Sequence, residues 1–156
     1  MRVLLHTNSP ATAQTGYGVE ARLFAPRWRD RLGHDVAISA FYGAEGATQM
    51  WDGIPIFPKF ADPYGMDIVG AHADRWQADV VMTLIDAWVM NPAVLRRWVP
   101  WFPVDHHDRI PPPVLDRVKQ AYQPIVFSRH AERLAQDAGL DVRYVPHGVD
   151  TQVFRP

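Results

Sequence analysis

The sequence predicts an α/β domain with a doubly wound, mainly parallel sheet of Rossmann-like architecture. Three observations carry this. Apolar runs rich in β-branched residues recur at 3–6, 35–41, 79–85, 101–104, 125–128 and 142–145. Most are nearly continuous rather than alternating, the pattern of parallel strands covered on both faces. Segments with helical punctuation separate them, so that strand and helix alternate along the chain.

The elements follow in order. After the first strand, residues 18–32 read as a helix closed by Gly33, a C-cap glycine. Pro26 inside it is expected to kink the helix or shift its start. Residues 43–60 mix turn glycines (Gly43, Gly46, Gly53) with apolar patches around Trp51 and 54–57, a hairpin or an irregular excursion beside the second strand. Residues 64–77 place Met66, Val69, Ala73 and Trp76 at spacings of three or four, a buried helical stripe. Asn91-Pro92 pairs a capping residue with a proline suited to the first helical position, leading into a helix over 93–98. Helices over 113–122 and 129–138 complete the set, the second closed by Gly139.

At 156 residues, 47% hydrophobic and 21% charged, the chain is one domain with enough apolar residues for a core. The absence of cysteine excludes disulfides, thiolate metal sites and cysteine nucleophiles. A net charge of −1 leaves no nucleic-acid footprint. No run approaches the ~18 apolar residues of a membrane span. The opening MRVLLHTNSP lacks a secretory apolar core, so a cytoplasmic location is expected.

Ligands of open α/β sheets bind beyond the carboxyl ends of the strands, so the loops there carry the candidates. After the first strand comes TNSPATAQTGYGVEA, in which Gly16, Tyr17 and Gly18 open the first helix. Free amides at that end can hold an anion, and glycines let a phosphate or sugar approach; a plain capping turn is the other reading. The stretch from Gly16 to Ala21 matches G-x-G-x-x-A. A dinucleotide fold, however, requires the first glycine immediately after the strand and an acidic residue near the end of the second strand, and both are missing. Asp86, after the third of these runs, is a helix-entry residue or a substrate-binding one. Trp88, Trp98 and Trp101 are core or domain-face residues, unless one stacks on a sugar. After the fourth run stand Asp105, His106, His107 and Asp108. They form a polar loop, a metal site lacking an evident third ligand, or a cleft histidine acting as a hydrogen-bonding group or general base, oriented by a neighbouring aspartate. Arg129, placed where the helix macrodipole disfavours a cation, calls for a bound anion or an ion pair.

The C-terminal stretch PIVFSRHAERLAQDAGLDVRYVPHGVDTQVFRP resembles the end of the N-terminal domain of family 4 glycosyltransferases, enzymes of the GT-B architecture with two Rossmann-like halves. The matching order is a strand ending in Ser, a helix, a Gly-Leu turn, a strand, and a Pro-Asn-Gly-Val-Asp-like segment leading to Phe-x-Pro. His147 stands here at the Asn position. The loop containing Gly16 and Gly18 is similar to the family's glycine loop, and GHDVAISA fits the second strand. The resemblance runs through nearly the whole chain and is weakest over 43–77.

The resemblance implies a hexosyltransferase-like enzyme that moves a sugar from a nucleotide-sugar co-substrate to an acceptor, with retention and without a metal or other cofactor. Residues 1–146 would form the acceptor-side domain and 147–156 the start of an interdomain linker. The donor-binding C-terminal domain would be the missing partner, since Glu occurs only at 20, 45 and 132 and no Glu-x7-Glu pattern exists. Such a fragment is expected to be inactive alone. His107, more than His106, would meet the donor sugar, with Asp105 beside them. Gly16, Gly18, Arg129 and Gly148 would lie on the donor-phosphate side, and Tyr17, Asp86 and Trp88 on the substrate side. A peripheral membrane contact stays open. The competing readings are a stand-alone Rossmann-like module for a sugar phosphate or nucleotide, a module pairing with a separately encoded partner, and a metal-dependent hydrolase using 105–108.

Overall fold

The computed structural model describes residues 1–155; Pro156, the last residue of the expected linker, lies outside them. The described residues form one eight-stranded sheet in the order β3-β4-β2-β1-β5-β6-β7-β8. Its strands are β1 (Arg2–Thr7), β2 (Asp35–Ala40), β3 (Gln49–Trp51), β4 (Ile54–Pro58), β5 (Val80–Leu84), β6 (Trp98–Phe102), β7 (Ile125–Val126) and β8 (Arg143–Tyr144). Every neighbouring pair is parallel except β3 with β4, so the sheet is the mainly parallel, Rossmann-like one expected. The helices are α1 (Gly16–Leu32), α2 (Val69–Trp76), α3 (Pro112–Val118) and α4 (Arg129–Asp137).

The chain moves from β1 outward to β2, then returns to lay β5 on the other side of β1. Helix α1 packs on one face of the sheet and the later helices on the opposite face. Leu5, Val36, Ile38 and Trp101 pack with Ala21 and Ala25 of α1. Leu4, Val81, Trp98, Phe102 and Val126 pack with α2, α3 and α4 through Val69, Val114, Val118, Ala131 and Ala135. Because α1 is alone on its face, an apolar groove of about 440 Å³ remains beside it, walled by Phe24, Trp28, Met82, Val99, Trp101 and Ile125.

Several boundaries differ from expectation for local reasons. Helix α1 starts at Gly16, where Thr15 caps it, and continues through Pro26. The excursion over 43–60 is the β3–β4 hairpin, and β4 extends the sheet by pairing with β2. Helix α2 begins only at Val69 because the preceding turn is tied to carboxylates: Asp62 accepts from the Tyr64 and Met66 amides, and Asp67 from those of Ala61 and Asp62. The helix expected over 93–98 is absent. Asn91 caps a single 3-10 turn, Pro92–Val94, and Arg97 takes φ 40°, which ends any helix there. A segment this short cannot repay helix nucleation. Trp98 instead opens β6, its indole donating to Thr83 Oγ1 at 2.9 Å, so β6 lies three residues earlier than expected.

Candidate functional site

The strand order reverses around β1 and β5, which makes the crevice beyond their carboxyl ends the place for a ligand. The loop after β1 is built rigidly. Ala13 N donates to Pro10 O at 2.9 Å, and the Arg22 guanidinium holds the carbonyls of Ala11 and Ala13 at 2.9 and 3.0 Å. The loop ends at Thr15, whose Oγ1 accepts from Gly18 N at 3.0 Å.

This arrangement separates the two glycines. A Cβ on Gly18 would lie 2.5 Å from Ala13 O and 2.9 Å from Pro10 O, whereas one on Gly16 would meet nothing within 4 Å. Gly18 is therefore a packing glycine whose amide is committed to the cap, which corrects the expectation that it faces a phosphate. Among the described residues, the amides of Gly16 and Tyr17 have no acceptor, which leaves two free donors at the start of α1.

Between the exits of β5 and β6 lies a cleft of about 170 Å³ whose lining includes Asp86, Trp88, Asp105, His106, Ile110 and Val114. Asp86 precedes the 3-10 turn Ala87–Val89 but makes no side-chain cap bond with it. Trp88 is 49% exposed, its ring edge-on to Tyr64 at 6.0 Å. Tyr17 is half-buried; burial, and then the charges of Asp86 and Asp105, push its hydroxyl up from the ordinary tyrosine range. That phenol therefore stays neutral, able to donate or accept a hydrogen bond.

The histidines divide clearly. His106 Nδ1 lies 3.3 Å from Asp105 Oδ1, which leaves Nε2 as the acceptor when Nδ1 carries the proton. His107 does not line the cleft; its side chain is 98% exposed and pairs with Asp108. Of the two histidines, the structure thus places His106 at the cleft and the expected His107 in solvent, because adjacent side chains on an extended loop point apart. His130, in the first turn of α4, donates from Nε2 to the His106 carbonyl at 2.8 Å and anchors the loop.

Other candidates are placed elsewhere. Arg129 is an ion-pair residue: it donates to Glu132 at 2.6 Å and lies 4.0 Å over the Tyr144 ring, so its charge needs no bound anion. Gly148 sits beyond β8, with Phe24 3.7 Å from its would-be Cβ, and does not line the cleft. Trp98 and Trp101 are core, which leaves Trp88 as the accessible tryptophan of the three. Among the described residues, no three His, Cys, Asp or Glu side chains are grouped as metal ligands. No helix among them is long and apolar enough to cross a membrane.

No protein-family pattern matches the sequence, and no curated protein does. Among solved structures, the chain resembles sucrose-phosphate synthase from Thermosynechococcus elongatus, with a TM-score of 0.71 at 13% identity. The likeness covers 99% of this chain and 50% of that one, so the chain spans about half the length of its neighbour. At this identity the match shows the fold: an α/β domain like half of that protein.

Proposed function

We propose that this chain is the acceptor-side half of a GT-B glycosyltransferase, one that moves a sugar from a nucleotide-sugar donor to an acceptor with retention. The observation that carries the reading is a cleft at the carboxyl ends of β5 and β6, lined by Asp86, Trp88, Asp105 and His106, whose two carboxylates act on the side chain of Tyr17, a residue of the open first turn of α1. The fold likeness to half of a sugar-synthesising enzyme supports it.

The chemistry follows from the charges. Departure of a nucleoside diphosphate puts negative charge on its bridging oxygen, and preorganised amides stabilise such charge without reorganising. Gly16 and Tyr17 N–H groups supply two donors, assisted by the macrodipole of α1. The remaining neutralisation falls to a second domain. His106, held by Asp105 and by His130, presents a ring nitrogen toward the reacting carbon, and the acceptor occupies the cleft between Asp86 and Trp88. Each donor of this kind is worth about 3–4 kcal/mol, or ~10²–10³ in rate, so half of the site does not turn over.

The test uses backbone amide NMR of this chain with UDP-glucose, GDP-mannose and ADP-glucose. The expected result is a shift of the Gly16 and Tyr17 resonances by at least one donor, with Gly18 little moved and no nucleoside diphosphate released. Silence at Gly16 and Tyr17 with all three rejects the reading. Turnover by the chain alone rejects its two-domain part.

A further inference from the structure

The cleft lined by Asp86 and Asp105 has the opposite electrostatic character to the open amides of α1, and this sorts ligands by charge. Asp86 has no side-chain cap bond, and Asp105 is tied only to His106. The nearby arginines are engaged elsewhere: Arg117 donates to the Met90 carbonyl at 2.8 Å, and Arg129 pairs with Glu132. Arg109, on the loop after β6, does not line the cleft. Trp88 supplies a half-exposed ring at the same opening, braced by Tyr64, which in turn meets Phe41 edge-on at 5.9 Å.

We propose that this cleft selects an uncharged, hydroxyl-rich acceptor, a sugar ring laid on Trp88 with its hydroxyls donating to Asp86 and Asp105, and that it rejects a phosphorylated one. The inference rests on the glycosyltransferase reading and adds the acceptor's chemical class. Carboxylates only accept hydrogen bonds, so a ligand that covers them must bring donors. Sugar hydroxyls do so. A phosphate ester brings acceptors and negative charge, which two carboxylates repel at close range. The apolar faces of a pyranose suit an indole ring, and burying both against water adds to the hydrogen bonds.

Saturation-transfer NMR with glucose, glucose 6-phosphate and glucosamine, on this chain and on the Asp86→Asn/Asp105→Asn variant, tests the proposal. The expected result is transfer to glucose that is lost in Trp88→Ala, with glucose 6-phosphate at least about tenfold weaker in the unmodified chain. The Asn variant should narrow that gap, because it keeps the shape and removes the charge; circular dichroism checks that each variant is folded. Equal or tighter binding of the phosphate overturns the proposal and leaves the glycosyltransferase reading standing. Glucosamine binding more than about tenfold tighter than glucose does the same, since it marks an ammonium site. No transfer to any of the three overturns the acceptor site itself, and with it the sugar-transfer reading of the cleft.

Discussion

His147 Nδ1 lies 3.1 Å from Glu20 Oε1, joining the segment after β8 to the second turn of α1. Glu20 is buried, and the His147 ring sits against Trp101 at 4.9 Å and Phe127 at 4.2 Å. Trp101 adds an indole hydrogen bond to the Val145 carbonyl at 2.9 Å. The exit segment is therefore held by side chains of α1, β6 and the residue that follows β7. Its second polar atoms, Glu20 Oε2 and His147 Nε2, are buried without a protein partner.

Removing one member of this pair leaves the other charged or polar group stranded. Glu20→Ala is expected to destabilise the fold by roughly 1–3 kcal/mol, the range for an unsatisfied buried partner. Glu20→Leu combined with His147→Phe keeps volume and aromatic packing, and should recover most of that loss. Urea unfolding of Glu20→Leu, His147→Phe and the double variant measures the coupling. Additive losses would mean that the pair contributes nothing beyond its packing.

The two glycines of the first loop respond oppositely. At Gly18 an added methyl meets the carbonyls of Ala13 and Pro10, so Gly18→Ala is expected to cost about 1–3 kcal/mol by overpacking. At Gly16 the methyl meets open space, and φ lies outside the left-handed region. Gly16→Ala should then be neutral or stabilising by up to ~1 kcal/mol, since it reduces the freedom of the unfolded chain. Thermal melts decide the order; equal effects would contradict the loop geometry.

Sequence reading reached the architecture because continuous β-branched runs and C-cap residues such as Gly33 are local signals. It failed where long-range partners decide. Trp98 reads as part of a helix after Asn91-Pro92, yet its indole reaches Thr83 on the neighbouring strand. His106 and His107 are equivalent in sequence, and only the position of the loop against the Ala87–Val89 turn and α3 tells them apart. His130 and Glu20 went unnoticed because their partners lie 24 residues away, at His106, and at His147 on a different element. A mid-helix Glu that falls on the buried face of α1 was the one signal that could have exposed the second pair. Gly18 reads as a phosphate-loop glycine because G-x-G describes both a phosphate loop and a capped helix start, and only the Thr15 cap and the Ala13 carbonyl separate the two.

The anchoring of His106 through its carbonyl makes His130 a positioning residue. His130→Ala should cost about 1 kcal/mol of stability and raise hydrogen exchange in the loop over 105–110. His107→Ala should change stability by less than ~0.5 kcal/mol, as for other exposed substitutions. It should also leave sugar binding unaltered, while His130→Ala weakens it. A loss of binding in His107→Ala larger than in His106→Ala would return the cleft role to His107.

The last prediction concerns acid. His6 is fully buried in β1, with Nε2 donating to the Tyr64 carbonyl at 2.9 Å. Its Nδ1 must then accept, so the Ser39 hydroxyl at 3.0 Å donates to it. Ser39 in turn accepts from His72 Nδ1 at 3.0 Å, a chain that is complete with both rings neutral. Burial lowers the His6 pKa from 6.5 to about 4, with His72 acting in the same direction and the Tyr64 hydrogen bond and Asp62 against it. Burial shifts His72 downward as well. Because the folded value lies below the unfolded one, this contribution to stability is fully present above about pH 6.5. Between pH 6.5 and 4 the unfolded chain takes up a proton that the folded chain refuses, and stability falls as pH falls. The loss from His6 amounts to roughly 3 kcal/mol and levels off below its folded pKa. Urea unfolding at steps across that window should show this decline, and the His6 ring resonances should titrate near pH 4 in the folded protein. A His6 midpoint near its ordinary value would show that the ring is not sealed in the core, and would remove the decline assigned to it.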